Sequence, residues 1–456
     1  MADDCCSSSR DNNGGGGGGG DAASCITNLS HDHLFSILLL LPLDSILSFA
    51  MTCKKTTRLT RSHTLWKSIC TRDWGHSTVD ALLASSSSSF SSVDWKRLYQ
   101  RLRNLDRVSC FSLTPPTNDA QGPTPTPRAS HSLNFFSGCL VLFGGGSEGG
   151  RHLDDTWIAY VGNGFKRMMN WQRVISDGPS GRFGHSCVGI GDCLVLFGGI
   201  NDSGVRQNDT WIAQVVIDDT TNTSSSRLAW RLLDVGPVAP PTRGAHACCS
   251  IDNRRMLIHG GIGLSGLRLG DTWVLHLSEN LCFGTWHEAV TDPVPSPRSG
   301  HTLTYIGGSR TVLFGGRGMG YEVLNDVWYL DSSEGHLGWV PVVFELRNIP
   351  GGLSLPRVGH SATLILGGRV VIYGGEDSYR HRKNDFWLLD IGSKRMWRRL
   401  KSEGYEGRSR SFHRACADES GRYLYVFGGM VDGILHPAEP AGLRFDGELF
   451  VVELVL

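Results

Sequence analysis

The chain has 456 residues, long enough for one large core and a smaller module, and its 44 Lys plus Arg are balanced by 44 Asp plus Glu. That balance leaves no charge excess to draw nucleic acid or an anionic membrane surface. Thirteen cysteines without a Cys-x-x-Cys pair argue against a disulfide frame or a zinc site; they read as small buried hydrophobes of a reducing compartment, the cytoplasm or nucleus.

Residues 1–25 are serine-rich and carry seven consecutive glycines, Gly14 to Gly20. Such a tail buries too little apolar surface to order. Neither a secretory signal nor a membrane span is expected. The start lacks a basic segment followed by an apolar run. The greasiest stretch, Leu34 to Phe49, contains Pro42 and Asp44 and falls short of the ~20 residues that a span needs.

In residues 26–74, Ser30 is placed to cap a helix at His31, along which Leu34, Ile37, Leu38 and Leu41 share a face. Pro42 stops it, and Asp44 is placed to cap the next, with Leu43, Ile46, Leu47 and Phe49 as its apolar positions. A third helix takes Leu65, Trp66, Ile69 and Trp74. Helices this short and apolar have more greasy surface than they can hide among themselves. They either pack on the rest of the chain or form a partner groove. Residues 75–105 read as a connector. It has a short helix near Asp80, a serine tract from Ser85, and a helix capped by Asp94 with Trp95, Leu98, Tyr99 and Leu102 on one face. Pro115 to Pro127 is a proline-rich loop.

Residues 106–456 repeat. A glycine doublet ends an apolar run six times, beginning at Gly144, Gly198, Gly260, Gly315, Gly374 and Gly428, at intervals of 54, 62, 55, 59 and 54 residues. In five units an Asp-x-Trp ends 13 residues later, at Trp157, Trp211, Trp273, Trp328 and Trp387. Every doublet is preceded by Arg-x-x-His, from Arg128/His131 to Arg410/His413. Fixed spacing of this kind marks an array of one supersecondary unit. Each unit holds four strand-like runs, which predicts a mainly β fold, a propeller of six four-stranded blades. The doublet suits a strand end needing positive φ or close backbone approach, and the third-strand Trp is large enough to fill the space between blades. The sixth unit has Phe450 and Glu448 in place of Trp and Asp, and the sequence stops before a fourth strand. Residues 106–113 contain a strand-like run with no unit of its own, so Val108 to Leu113 is expected to close the sixth blade and remove its open edges.

A residue that recurs once per blade serves the blade, so the Arg-x-x-His pairs are assigned to structure rather than to metal or catalysis. The Asp before each Trp is read as a turn cap or a partner for loop backbone. The loops between doublet and Asp-x-Trp differ from unit to unit, and binding residues concentrate in such loops. They carry Arg151, Arg206, Arg268, Arg317, Arg380 and Arg382, with Tyr321 and Tyr379. Three of these arginines, Arg206, Arg268 and Arg382, lie eight residues past the first glycine, which in a radial fold points them to one face. Arg and Tyr are favoured at hot spots, and Arg matches carboxylate or phosphate in two-point contacts. The plainer alternative is ordinary solvated loop charge.

Two resemblances join these observations. Residues 26–74, with the leucine-rich helix ending in Leu41-Pro42, then Thr52-Cys53-Lys54 and the LWKSICTRDW ending, resemble an F-box. The repeats resemble kelch repeats, with Gly-Gly, a spaced Trp and a second Trp at Trp171, Trp230, Trp286, Trp339 and Trp397. An F-box before a kelch propeller is similar to the substrate receptors of SCF ubiquitin ligases. The resemblance implies docking on a Skp-type adaptor, and through it a cullin, by Leu34, Leu38, Leu41, Pro42, Leu43 and Ile46, with a target protein held on the propeller. It implies no catalysis and no cofactor. The alternatives are a scaffold outside degradation and a metal-dependent kelch enzyme. For the enzyme, Asp377-xxx-His381 resembles half of the iron motif Glu-xxx-Asp-xxx-His of plant specifier proteins, with Tyr373 where Glu belongs.

Overall fold

The structure is a computed structural model that describes residues 26, 29–85, 93–113, 123–161, 170–174, 177–218, 225–333, 337–344, 355–392, 395–432 and 443–456. The expected disordered tail, the serine tract beyond Ser85 and residues 114–122 of the proline-rich loop lie outside them.

Ser30 opens the first helix, α1 (His31–Leu40), its side chain accepting from the His33 amide at 3.3 Å. Pro42 has no amide hydrogen to extend α1. It occupies the cap of α2 (Leu43–Ala50), so Asp44 sits inside the first turn instead of at the cap, where its charge still favours the helix dipole. A short helix not expected from the sequence pattern, α3 (Lys54–Leu59), comes next; Thr56 Oγ1 accepts from the Cys53 amide at its start. Then come α4 (His63–Trp74), α5 (His76–Ser85) and α6 (Trp95–Arg103). Among the described residues no helix is long and apolar enough to cross a membrane. By internal packing the chain divides into two compact units after Ile69, within α4.

In the second unit the end of α4 and α6 are tied by Trp74 stacking on Tyr99 at 5.4 Å and by the Tyr99 hydroxyl donating to Asp73. Asp94 caps α6 as expected, accepting from Arg97. Leu102 lies over Gly367, at the tip of a strand hairpin, and the Leu105 carbonyl accepts from Arg398 at 3.0 Å.

The repeats form six blades, each of strands paired antiparallel. The first blade is Ser132–Phe136, Cys139–Phe143, Thr156–Tyr160 and Trp171–Val174, paired in that order. The innermost strands of successive blades, Ser132–Phe136, Ser186–Ile190, Ala247–Ser250, Thr302–Gly307, Ser361–Ile365 and Arg414–Ala417, touch in a ring that closes from the sixth back to the first. The outer strand of the sixth blade is Arg107–Ser112, which pairs antiparallel with Leu449–Leu454, Val108 facing Leu454. It also runs parallel to Met396–Gly404, so it joins the fifth and sixth blades.

The core lies between blades. Each fourth-strand Trp packs on the aromatic ring two residues before the second glycine of the preceding blade: Trp230 on Phe143, Trp286 on Phe197, Trp397 on Phe314 and Trp171 on Phe427. The third-strand Trp157, Trp273 and Trp387 enter the same layers. The glycine doublet is required by geometry. At Gly198, φ is +64°, and an added Cβ would lie 2.9 Å from the Arg243 carbonyl of the next blade.

Candidate target-binding face

Each blade is strapped by a buried arginine. In the fourth, Arg298 donates to both oxygens of Asp326 at 2.6 and 2.7 Å, to the Gly315 carbonyl at 3.1 Å and to the Ser296 carbonyl at 2.9 Å. The Trp328 indole N–H donates to the same carboxylate at 2.8 Å. The Arg–Asp–Trp grip recurs around Arg128/Asp155, Arg182/Asp209, Arg243/Asp271 and Arg357/Asp385, though Arg357 holds its Asp through Nη2 alone. The Asp therefore pairs with the Arg and the Trp rather than with loop backbone. In the sixth blade Glu448 takes the Asp role toward Arg410, and the Tyr405 hydroxyl bonds to it where an indole would. Burial pushes the Asp271 carboxyl up, but Arg243 and Trp273 outweigh it and hold it below its ordinary range.

The six histidines come just before the innermost strands, and His185, His246, His301 and His360 line the channel inside the ring. Burial, then the neighbouring arginine, pushes His246 and His360 down to about 3, and His131, His185, His301 and His413 move well below their usual value for the same first reason. Neutral rings of this kind serve as hydrogen-bond partners between blades: His246 meets Ser186 at 2.7 Å and His413 meets Ser361 at 3.0 Å. Among the described residues no three of His, Cys, Asp or Glu are grouped to hold a metal ion. Tyr373 is buried against Phe386 and His413.

Antiparallel pairing places the loops after the glycine doublets at the end of the propeller opposite the hairpins on which α6 rests. Arg206, Arg268 and Arg382 are equivalent there, each paired with the residue two past the first glycine: Ile200, Ile262 and Glu376. Their side chains differ in availability. Arg382 is buried and bound to Glu376, Asp432 and the Ser411 hydroxyl. Arg317 shares Glu376 at 3.3 Å. These two are committed to neutralising carboxylates within the fold. Arg206 is half-buried and has no ion pair among the described residues, and its Nε lacks a partner. Arg268 lies 4.5 Å over the Tyr321 ring and donates to Ser299. Arg151 and Arg380 are exposed, and Tyr321 and Tyr379 keep 72% and 79% of their surface in solvent. Apolar neighbours on the same loops, Leu264, Leu267 and Met319, are exposed too, so the face combines charge with greasy surface that the arginines alone do not announce.

The helical unit carries its own exposed apolar surface. Leu34, Leu38 and Ile46 are buried, so they support this surface rather than present it; Leu41 and Leu43 are half-buried and Pro42 is exposed. Leu40 and Met51 stand 86% and 88% exposed, with Leu47 between them in the sequence, on α2. Leu43 and Leu47 lie four residues apart on one face of that helix, and Met51, its C-cap, follows at the same spacing.

Residues 26–68 match the F-box domain family, and residues 102–280, 214–345 and 342–438 match the KLHDC2/KLHL20/DRC7 Kelch-repeats domain. An F-box/kelch-repeat protein of Arabidopsis thaliana is 54% identical over 457 residues, covering 95% of this chain and 94% of its own length. The chain belongs to the F-box/kelch-repeat proteins. Adagio-like protein 1 of rice is 30% identical over 86% of this chain, which spans 60% of that longer protein. The solved structure of YjhT aligns with a TM-score of 0.51 at 15% identity, covering 72% of this chain and 95% of that one, and so speaks for the fold. F-box/kelch-repeat proteins form a family of SCF-type substrate adaptors, generally non-catalytic, and an F-box implies a Skp-type adaptor as partner.

Proposed function

We propose that this F-box/kelch protein is the substrate-recognition subunit of an SCF-type ubiquitin ligase, working in the cytoplasm or nucleus. The helical unit docks on a Skp-type adaptor through Leu40, Leu41, Pro42, Leu43, Leu47 and Met51. The propeller holds a target protein on its loop face, raising the target's concentration near the ubiquitin-transfer machinery as a tether does. The observation that carries this reading is the apolar face of α2, left in water. A small helical unit has no reason to expose Leu47 and Met51 unless a partner covers them. The ten described cysteines are free thiols, as suits a reducing compartment.

On the loop face, the uncommitted arginines Arg206 and Arg268, with Tyr321, Tyr379, Arg151 and Arg380 around them, suit a target segment bearing carboxylates or phosphates. Arg382 and Arg317 shape this face by holding its loops together.

The docking half is tested by co-purification. Leu41→Asp/Leu43→Asp places charge in the apolar contact, a severe cost in a desolvated interface. The double variant is expected to fold, to keep the melting temperature of its propeller, and to lose the adaptor. Adaptor recovered at wild-type yield would place docking elsewhere. Adaptor recovered without cullin would favour a scaffold outside degradation.

A further inference from the structure

The residue after the ring histidine breaks its own repeat once. It is Ser132, Ser186, Ala247, Thr302 and Ser361 in five blades and Arg414 in the sixth. In three blades its hydroxyl bonds the histidine of the next blade: Ser186 to His246, Thr302 to His360 and Ser361 to His413, at 2.7, 3.0 and 3.0 Å. Ser132 instead donates to the Phe143 carbonyl of its own blade at 3.4 Å, and both ring nitrogens of His185 are left without a partner. Where Ala247 removes the hydroxyl, His259 steps in and meets His301 at 3.0 Å. Where Arg414 stands, nothing replaces it. Both ring nitrogens of His131 are buried without a partner, and Arg414 Nε donates to the His131 carbonyl at 2.8 Å instead.

The guanidinium therefore projects into the central channel, a cavity of about 210 Å³ bounded by all six inner strands. Its Nη atoms have no hydrogen-bond or ion-pair partner among the described residues. No Asp or Glu lines the cavity, and the histidines that do are neutral because they are buried. Asn134 Nδ2, also on the lining, is a buried donor without an acceptor. A lone fixed cation in a confined space is costly unless a counter-charge joins it. The available volume is several times the roughly 30 Å³ occupied by one water in the liquid, enough for a small oxyanion.

We propose that Arg414 makes the propeller channel a binding site for a small free oxyanion, a phosphate or a short carboxylate. The two Nη groups form the fork that grips two oxygens, and the Asn134 amide supplies a third donor. The site is separate from the target-binding loops, since Arg414 lies on an inner strand.

Inorganic phosphate and acetate serve as probes, titrated calorimetrically into the full-length protein at constant ionic strength. One anion per chain is expected for the wild type. Arg414→Ser puts back the small hydroxyl residue that four of the other blades carry at this position. It should fold, melt in anion-free buffer no lower than the wild type, and bind at least ~10-fold more weakly, the loss of one good charged contact. Arg414→Lys keeps the charge without the fork and should fall between. Arg206→Ala/Arg268→Ala should bind as the wild type does. Failure of the wild type to bind either probe at millimolar concentration would overturn the proposal. So would unchanged binding by Arg414→Ser, or binding lost only in the loop variant, which would give the anion to the target-binding face.

Discussion

At the scale of single residues, charge is placed where it is matched. Arg243 has no solvent exposure, and it makes four hydrogen bonds, two to the Asp271 carboxylate and two to backbone carbonyls. Arg243→Ala would leave the Asp271 carboxylate without its partner, a loss of about 3–5 kcal/mol for a broken buried pair. Arg151→Ala, at an exposed loop position, should stay within about 0.5 kcal/mol; paired melting curves compare the two. The histidine ring sets a pH dependence. A histidine whose folded pKa is pushed down binds its proton more readily when unfolded, so its stabilisation is complete above the unfolded value near 6.5 and is lost as pH falls below it. Each contributes at most about 1.4 kcal/mol per pH unit in that range. The melting temperature should therefore fall steeply between pH 6.5 and 5, above the range of ordinary carboxylates; a flat profile there would mean that the rings are already protonated in the fold. The repeated Arg and Asp are visible in the sequence, but not their pairing, because 28 residues and a whole turn of the blade separate Arg243 from Asp271. Equal spacing also makes Arg382 look like Arg206 and Arg268. The difference is the residue opposite: Glu376 faces Arg382, whereas Ile200 and Ile262 face the others.

At the scale of elements, spacing carries the architecture and local composition carries the ends. Six doublets, five with a fixed offset to Trp, define four-stranded units because each of those five must bury its two tryptophans against a neighbour. The short helix α3 is hard to read in the sequence because Lys54–Leu59 offers few apolar positions from which to take a period. The strand Arg107–Ser112 pairs with residues more than 300 positions away, so only counting strands per blade points to it. Deleting residues 106–113 from the full chain exposes the edges of Leu449–Leu454 and of Met396–Gly404 together. The product is expected to be insoluble or to melt well below the intact chain. Equal melting temperatures would show that the sixth blade is stable without its outer strand.

At the scale of the whole molecule, the proposed function divides two jobs between two units, with the helical unit recruiting the machinery and the propeller choosing the cargo. The family is legible from motifs, since the doublets, the Trp offsets and the leucine-rich helix ending at Leu41-Pro42 all survive as sequence patterns. The site is less so, because availability of a side chain depends on neighbours brought in by folding, as Glu376 and Asp432 are brought to Arg382. The division of labour is tested most sharply by quantitative mass spectrometry of captured proteins. The baits are the full-length wild type, Leu43→Asp/Leu47→Asp and Arg206→Ala/Arg268→Ala, each first shown to melt as the wild type does. The helical variant is expected to lose adaptor and cullin but keep the remaining partners. The loop variant is expected to keep adaptor and cullin but lose a defined set of the others. Both variants losing the same proteins, or neither losing any, would contradict that division.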